Sequence, residues 1–336
     1  MSEWSERPRP PWGAGPVAAE TGTAEPRAWP APAGARYDQL ARVPAHRWWR
    51  PLLGTVVVAL GWLLGMIVVL LAATVLAVSV GVPATPEGER WFADPLWEVA
   101  TNLLSIAAVI PVVFLAARLV QRRRPGTVSS VVGHLRWRWL LRCLLVAIPM
   151  MVVSLVLLAV LATVLDGEAA PAEPTGGWVG WPRFGLSAAV LVVTVPLQAA
   201  AEEYLARGWF IQAFGAWFRT PWPGIVAGGL VFVVLHSISQ VWGAADLMLY
   251  AVVLGWLTVR TGGLEAGIAL HAVGNLMVFL ITAAAGLLGI DGSAGDAPWY
   301  LFLANLVILP LYAWIIAGMH RRTRQERVVP ARPAAA

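Results

Sequence analysis

The sequence contains no lysine: all 24 of its basic residues are arginines. Membrane and surface physics do not forbid lysine at so many sites, so the bias points to a GC-rich bacterial genome rather than to a recognition role. Cysteine is almost absent as well. Cys143 stands alone, which excludes an intramolecular disulfide and a cysteine-based metal cluster and leaves helix packing as its role. Charge is scarce, at 13% of residues against 58% hydrophobic, and mean hydropathy is +0.69. Those values lie outside soluble globular composition and within that of chains that cross a bilayer several times. The first residues also lack the apolar run of about 7 to 15 residues that a cleavable signal peptide needs, so insertion is expected to begin with the first membrane helix. The net charge of +5 does not imply nucleic acid, because the arginines flank hydrophobic segments instead of covering one soluble domain.

What is abundant is hydrophobic sequence of membrane-spanning length. About 20 apolar residues cross ~30 Å of hydrocarbon, and eight segments qualify: 52–80, 96–120, 138–164, 184–217, 223–241, 245–260, 264–288 and 299–318. The expected fold is therefore an all-α polytopic bundle of about eight transmembrane helices. The 184–217 segment exceeds one perpendicular crossing, so it should tilt, kink near Pro196 or project past the bilayer. Residues 1–46, rich in Pro, Ala and Arg, read as a disordered tail. Residues 47–183 hold the first membrane helices, 184–290 the helices with unusual polar residues, 291–320 the last helix and 321–336 a basic tail. Connecting segments alternate in charge. Glu87, Glu89, Asp94, Asp166, Glu168, Glu173, Asp291 and Asp296 mark one side. Arg122 to Arg124, Arg136, Arg138, Arg142, Arg219, Arg260, Arg321, Arg322, Arg324 and Arg327 mark the other, which makes that side and both termini cytoplasmic. His46 and His134 read as interfacial. Neither an internal repeat nor a Gly-rich phosphate loop is visible.

Against this background the run QAAAEEYLARG, from Gln198 to Gly208, is anomalous. Ionised groups in hydrocarbon cost several kcal/mol, so Glu202, Glu203 and Arg207 call for a function. On a helix Glu203 and Arg207 share a face, while Glu202 is turned by about 100°. The arginine can then neutralise Glu203 and leave Glu202 reactive; a plain helix-end ion pair is the alternative. Gln198, four residues before Glu202, suggests a supporting hydrogen bond to it. The next hydrophobic segment carries Phe232 and His236, which the turn at Thr220 to Pro223 should bring to within about a turn of the depth of Glu202. His271 and Asn275 follow in the seventh segment, on one face, with Gly274 permitting close approach of a neighbour. His236 could equally be a packing histidine, and Asn275 an interhelical hydrogen bonder. Glu98 and Asn102 read as interfacial, and Asp246 and Glu265 as solvated at loop junctions. A carboxylate near imidazole can hold and deprotonate water, and histidine and asparagine can donate to a developing oxyanion. These are the parts of amide hydrolysis.

EEYLAR, FVVLH and HAVGN, in that order on successive helices, resemble the EExxxR, FxxxH and HxxxN motifs of the CPBP family of intramembrane proteases. That family includes type II CAAX prenyl proteases, Abi proteins and lysostaphin-resistance relatives. The resemblance spans about residues 184–290 and agrees with a multi-span helical fold. It implies an integral membrane endopeptidase acting on a membrane-associated protein or peptide, in a bacterial cytoplasmic membrane and without nucleic acid. By the same resemblance Glu202 activates water beside His236, His271 and Asn275 form the oxyanion hole, and Glu203 and Arg207 support the site. No cofactor is required in that scheme. Zinc is conceivable, and Glu202, His236 and His271 would then be its ligands. Two other classes remain open, a proton-coupled transporter and a non-catalytic immunity or scaffold protein.

Overall fold

The computed structural model describes residues 26–85, 90–165, 176–289 and 298–331. The acidic markers Glu87, Glu89, Asp166, Glu168, Glu173, Asp291 and Asp296 lie outside them, as do the first 25 residues and the last five. The described chain is all helical. It comprises α1 (Arg50–Ser79), α2 (Pro95–Ala107), α3 (Val109–Leu119), α4 (Trp137–Leu165), α5 (Trp181–Glu203), a π-helical stretch (Tyr204–Phe210), α6 (Ile211–Gly215), α7 (Trp222–Val234), α8 (Val241–Thr261), α9 (Glu265–Ala284) and α10 (Trp299–Arg322). Long apolar runs make these helices, and local chemistry sets their limits. The Asp94 side chain caps α2 by accepting from the Leu96 and Trp97 amides, with Pro95 in the first turn. Pro111 has no N–H to offer the Ala107 carbonyl, and the chain breaks there between α2 and α3. Gly262, in the left-handed region at φ 73°, ends α8.

Seven helices among the described residues are long and apolar enough to cross a membrane, with α2 and α3 counted together and with Trp181–Gly215 as one. The expected eighth, 223–241, is shorter: α7 stops at Val234, which leaves 235–240 non-helical and His236 beyond the helix end. Even so, the described ends meet on one face. Gly34 donates to the Val329 carbonyl and Val329 to the Ala35 carbonyl, both at 2.9 Å. The number of traverses is therefore even, and α7 with its non-helical continuation supplies one. In the interior, half of the most apolar stretch of α9 is buried against 6% of that of α1. Accordingly α9 is the central helix, and α1 shows Leu60, Leu71 and Val75 to lipid.

The expectation of a disordered tail up to residue 46 is corrected over 26–46. These residues form a cap on the arginine-rich end of the bundle. Trp29 bridges the backbone of Arg122 and Arg124, and Tyr37 and Leu40 are fully buried. The Tyr37 hydroxyl donates to the Val128 carbonyl, and Arg42 donates to the carbonyls of Gly215 and Phe218. Two apolar anchors and satisfied backbone groups outweigh the Pro, Ala and Gly content. Beneath the cap, Arg123 is fully buried among Gln121, Thr127 and Gln212, and burial draws its guanidinium down to about 10.

Glu265 and Asp246 are corrected too, since neither is solvated. Glu265 is fully buried and takes a fork from Arg136 at 2.9 and 2.7 Å, while Arg136 also reaches the carbonyls of Thr261 and Glu326. Asp246 accepts from Asn305 at 2.8 and 3.1 Å. Removing one partner of a buried pair leaves the other charge uncompensated. We therefore expect Glu265→Gln to cost about 3 kcal/mol of stability, measured by thermal unfolding in detergent micelles.

Candidate active site

The polar cluster is built where α5 runs antiparallel to α9. Along that seam Gln198 pairs with Asn275, and one turn further on Glu202 and Glu203 meet His271. Close approach is possible because Gly267 faces Glu203: a Cβ there would lie 2.6 Å from Glu203 Oε2. On the other flank α7 lies against the π-helical stretch. Cβ atoms at Gly224 and Gly228 would come within 2.7 Å of the Ile211 Cα and 2.2 Å of the Ala206 carbonyl oxygen. Two glycines one turn apart thus let the backbone of α7 touch that of the π stretch at Ala206 and of α6 at Ile211. π-Helical turns are rare and recur at functional sites, and this one carries Arg207.

Glu203 is fully buried, and its Oε1 receives both Arg207 Nη1 at 3.1 Å and His271 Nδ1 at 3.0 Å. The other imidazole nitrogen, Nε2, lies 3.3 Å from Glu202 Oε2. That contact is close but not aligned as a hydrogen bond, and Glu202 Oε2 has no hydrogen-bond partner. Glu203 Oε2 and Arg207 Nη2 are buried and unpartnered as well. A single imidazole therefore joins two adjacent carboxylates of unequal circumstance, one sealed and held by arginine, the other with 16% of its side chain exposed. Aromatic walls enclose the group. The Arg207 guanidinium lies 4.5 Å from the Phe232 ring centre and 5.7 Å from that of Tyr250, and His271 meets both rings edge to face.

Glu202, Glu203, Arg207 and His271 thus form one connected set. Asn275 lies one turn away and donates to Gln198 Oε1 at 3.1 Å, so Gln198 supports the asparagine and not Glu202 as expected. His236 is set apart. It makes no ion pair with Glu202 among the described residues; its Nδ1 is 2.7 Å from the Phe232 carbonyl oxygen and its ring 4.6 Å from the Phe232 ring. Phe232 is therefore the wall shared by both histidines. Because a carbonyl only accepts, His236 Nδ1 carries the hydrogen and Nε2 of the neutral ring is an acceptor. The structure adds Tyr250, Gly267 and Gly228 to the site. Only the glycines had a readable signal, the spacing of Gly267 four residues before His271 and of Gly224 four before Gly228.

No three His, Cys, Asp or Glu side chains among the described residues converge so as to hold a metal ion. Glu202, His236 and His271 do not fit as a zinc ligand set here, because these three are not gathered at one point and His236 Nδ1 is directed at the Phe232 carbonyl oxygen.

The fold and this cluster define an integral membrane protein of many helices with an acid–imidazole–guanidinium centre buried among its spans. Residues 184–277 match the family model described as type II CAAX prenyl endopeptidase Rce1-like, the grouping that the three motifs resemble. The match supports an intramembrane protease of the CAAX type. Over 252 residues the chain is also 26% identical to the uncharacterized protein YyaK of Bacillus subtilis (strain 168), an overlap covering 71% of this chain and 81% of that protein. No solved structure matches.

Proposed function

We propose that the protein is an endopeptidase of a bacterial cytoplasmic membrane, its arginine-rich cap on the cytoplasmic side, that hydrolyses a peptide bond in a membrane-associated protein or peptide. The observation that carries this reading is the unequal pair of adjacent glutamates joined through His271. With a neutral imidazole, two carboxylates face one guanidinium, and the buried group carries one uncompensated negative charge. A proton taken by Glu202 or His271 cancels it. Water held at the unpartnered Glu202 Oε2 gives up its proton to the Glu202–His271 pair as its oxygen adds to the scissile carbonyl carbon. The resulting oxyanion receives the Asn275 amide hydrogen not used by Gln198. The same proton then passes to the leaving nitrogen as the carbon–nitrogen bond breaks, yielding a carboxylic acid and an amine, and the acid then releases its proton to water or to the amine. Glu203 and Arg207 hold His271 in register throughout.

Water has a route. α7 is 13 residues long and rises about 20 Å, whereas α8 rises about 31 Å, so α7 alone falls short of a full crossing and the non-helical stretch 235–240 completes it. Irregular backbone at that depth is tolerated where it lines an aqueous cavity or is covered by protein. His236 stands at its start, with an acceptor nitrogen for water.

The test is cleavage of a membrane-inserted reporter peptide by purified protein in liposomes. His271→Ala should lower the rate by roughly a hundredfold or more, and incubation with 1,10-phenanthroline should leave it unchanged. Full activity in His271→Ala would reject the site, and inactivation by the chelator would reject the metal-free mechanism.

A further inference from the structure

On the lipid-facing side of the bundle, away from His271, α8 and α10 leave between them a groove of about 530 Å³. Its apolar walls include Val253 and Trp256 of α8 and Ala313 and Trp314 of α10. Small residues on α10 open it, and Trp314, 70% exposed, forms its outer lip. At the end nearest the cap stand Arg260 and Arg321, and no carboxylate lines it. Arg260 Nη1 is buried without a hydrogen-bond partner. The charges that act on Arg260 are those of Arg327 and Arg321, both of its own sign.

We propose that this groove binds one anionic phospholipid, the phosphate on Arg260 and Arg321 and an acyl chain along Val253, Trp256, Ala313 and Trp314. An orphaned guanidinium N–H facing two like charges lacks an acceptor and a counter-charge. A phosphate diester supplies both, and arginine's fork suits its oxygens. An apolar channel leading from the cations toward the hydrocarbon requires that the anion carry a long tail. Basic pockets between membrane helices at the inner surface are where such headgroups are held. A choline headgroup would add a fourth like charge to Arg260, Arg321 and Arg327, so selectivity for a net negative lipid follows.

The full-length protein, delipidated in a nonionic detergent, is melted with phosphatidylglycerol, with phosphatidylcholine and with inorganic phosphate. At a lipid concentration about a hundredfold above Kd, phosphatidylglycerol should raise Tm by roughly 5 °C, and the other two should have little effect. In Arg260→Gln/Arg321→Gln the rise should vanish. Arg321 is exposed at the helix end, so Arg321→Gln alone should fold normally and lose at least half of the rise. An equal rise with phosphatidylcholine or with inorganic phosphate would overturn the proposal, as would an undiminished rise in the variants.

Discussion

Glu202→Gln will abolish peptide cleavage while leaving the protein folded. The substitution keeps the shape of the side chain and removes its capacity to take a proton, a loss worth about 10² to 10⁴ in rate for a general base. Stability should not fall with it. Glu202 Oε2 has no hydrogen-bond partner in the folded chain, and the amide removes the surplus negative charge of the buried group. Thermal unfolding in micelles should place the variant within about 1 kcal/mol of the parent, or above it. Its neighbour should behave in the opposite way. Glu203→Gln leaves Arg207, 2% exposed, without its counter-charge, and should cost roughly 3 to 5 kcal/mol. Similar losses of stability in the two variants would mean that the adjacent carboxylates do not divide the work, and cleavage surviving in Glu202→Gln would remove the proposed base.

Arg207→Met should be among the most destabilising single changes in the chain. It strips Glu203, fully buried, of the cation 3.1 Å away, and it withdraws the guanidinium from the faces of Phe232 and Tyr250. The expected cost is about 3 to 5 kcal/mol, with loss of cleavage because His271 loses its anchor. The double variant Glu203→Met/Arg207→Met should recover much of the stability, since burying two apolar side chains replaces a pair that gains little over its desolvation. It should not recover activity. Additive destabilisation of the two single changes would show that the pair does not act as one unit.

Much of the site could be read from residue order. Glu202, Glu203 and Arg207 stood out because charge in hydrocarbon is expensive, and the four-residue spacing of Glu203 and Arg207 became a 3.1 Å contact. The spacing of His271 and Asn275 likewise put both on the α9 face that meets α5. His236 was harder. Continuous hydrophobicity through 223–241 suggested a full span, but α7 ends at Val234, and hydropathy does not register where a helix stops when apolar residues continue past its end. Residues 26–46 were misread for the converse reason. Their composition resembles a linker, while what orders them is pairing with segments remote in sequence, at Arg122, Gly215 and Val329.

Composition and spacing were sufficient for the all-helical membrane class, for most of the spans and for the acids, imidazoles and amide worth suspecting, because those follow from the cost of taking charge and backbone out of water. Which carboxylate His271 anchors on, that Gln198 serves Asn275, that one phenyl ring contacts both histidines and that the described segments 26–46 and 326–331 meet in a cap could not be read there. Those are settled by contacts between segments distant in the chain, where glycines set how near the helices come and a π-helical stretch carries Arg207 against the rings of α7 and α8.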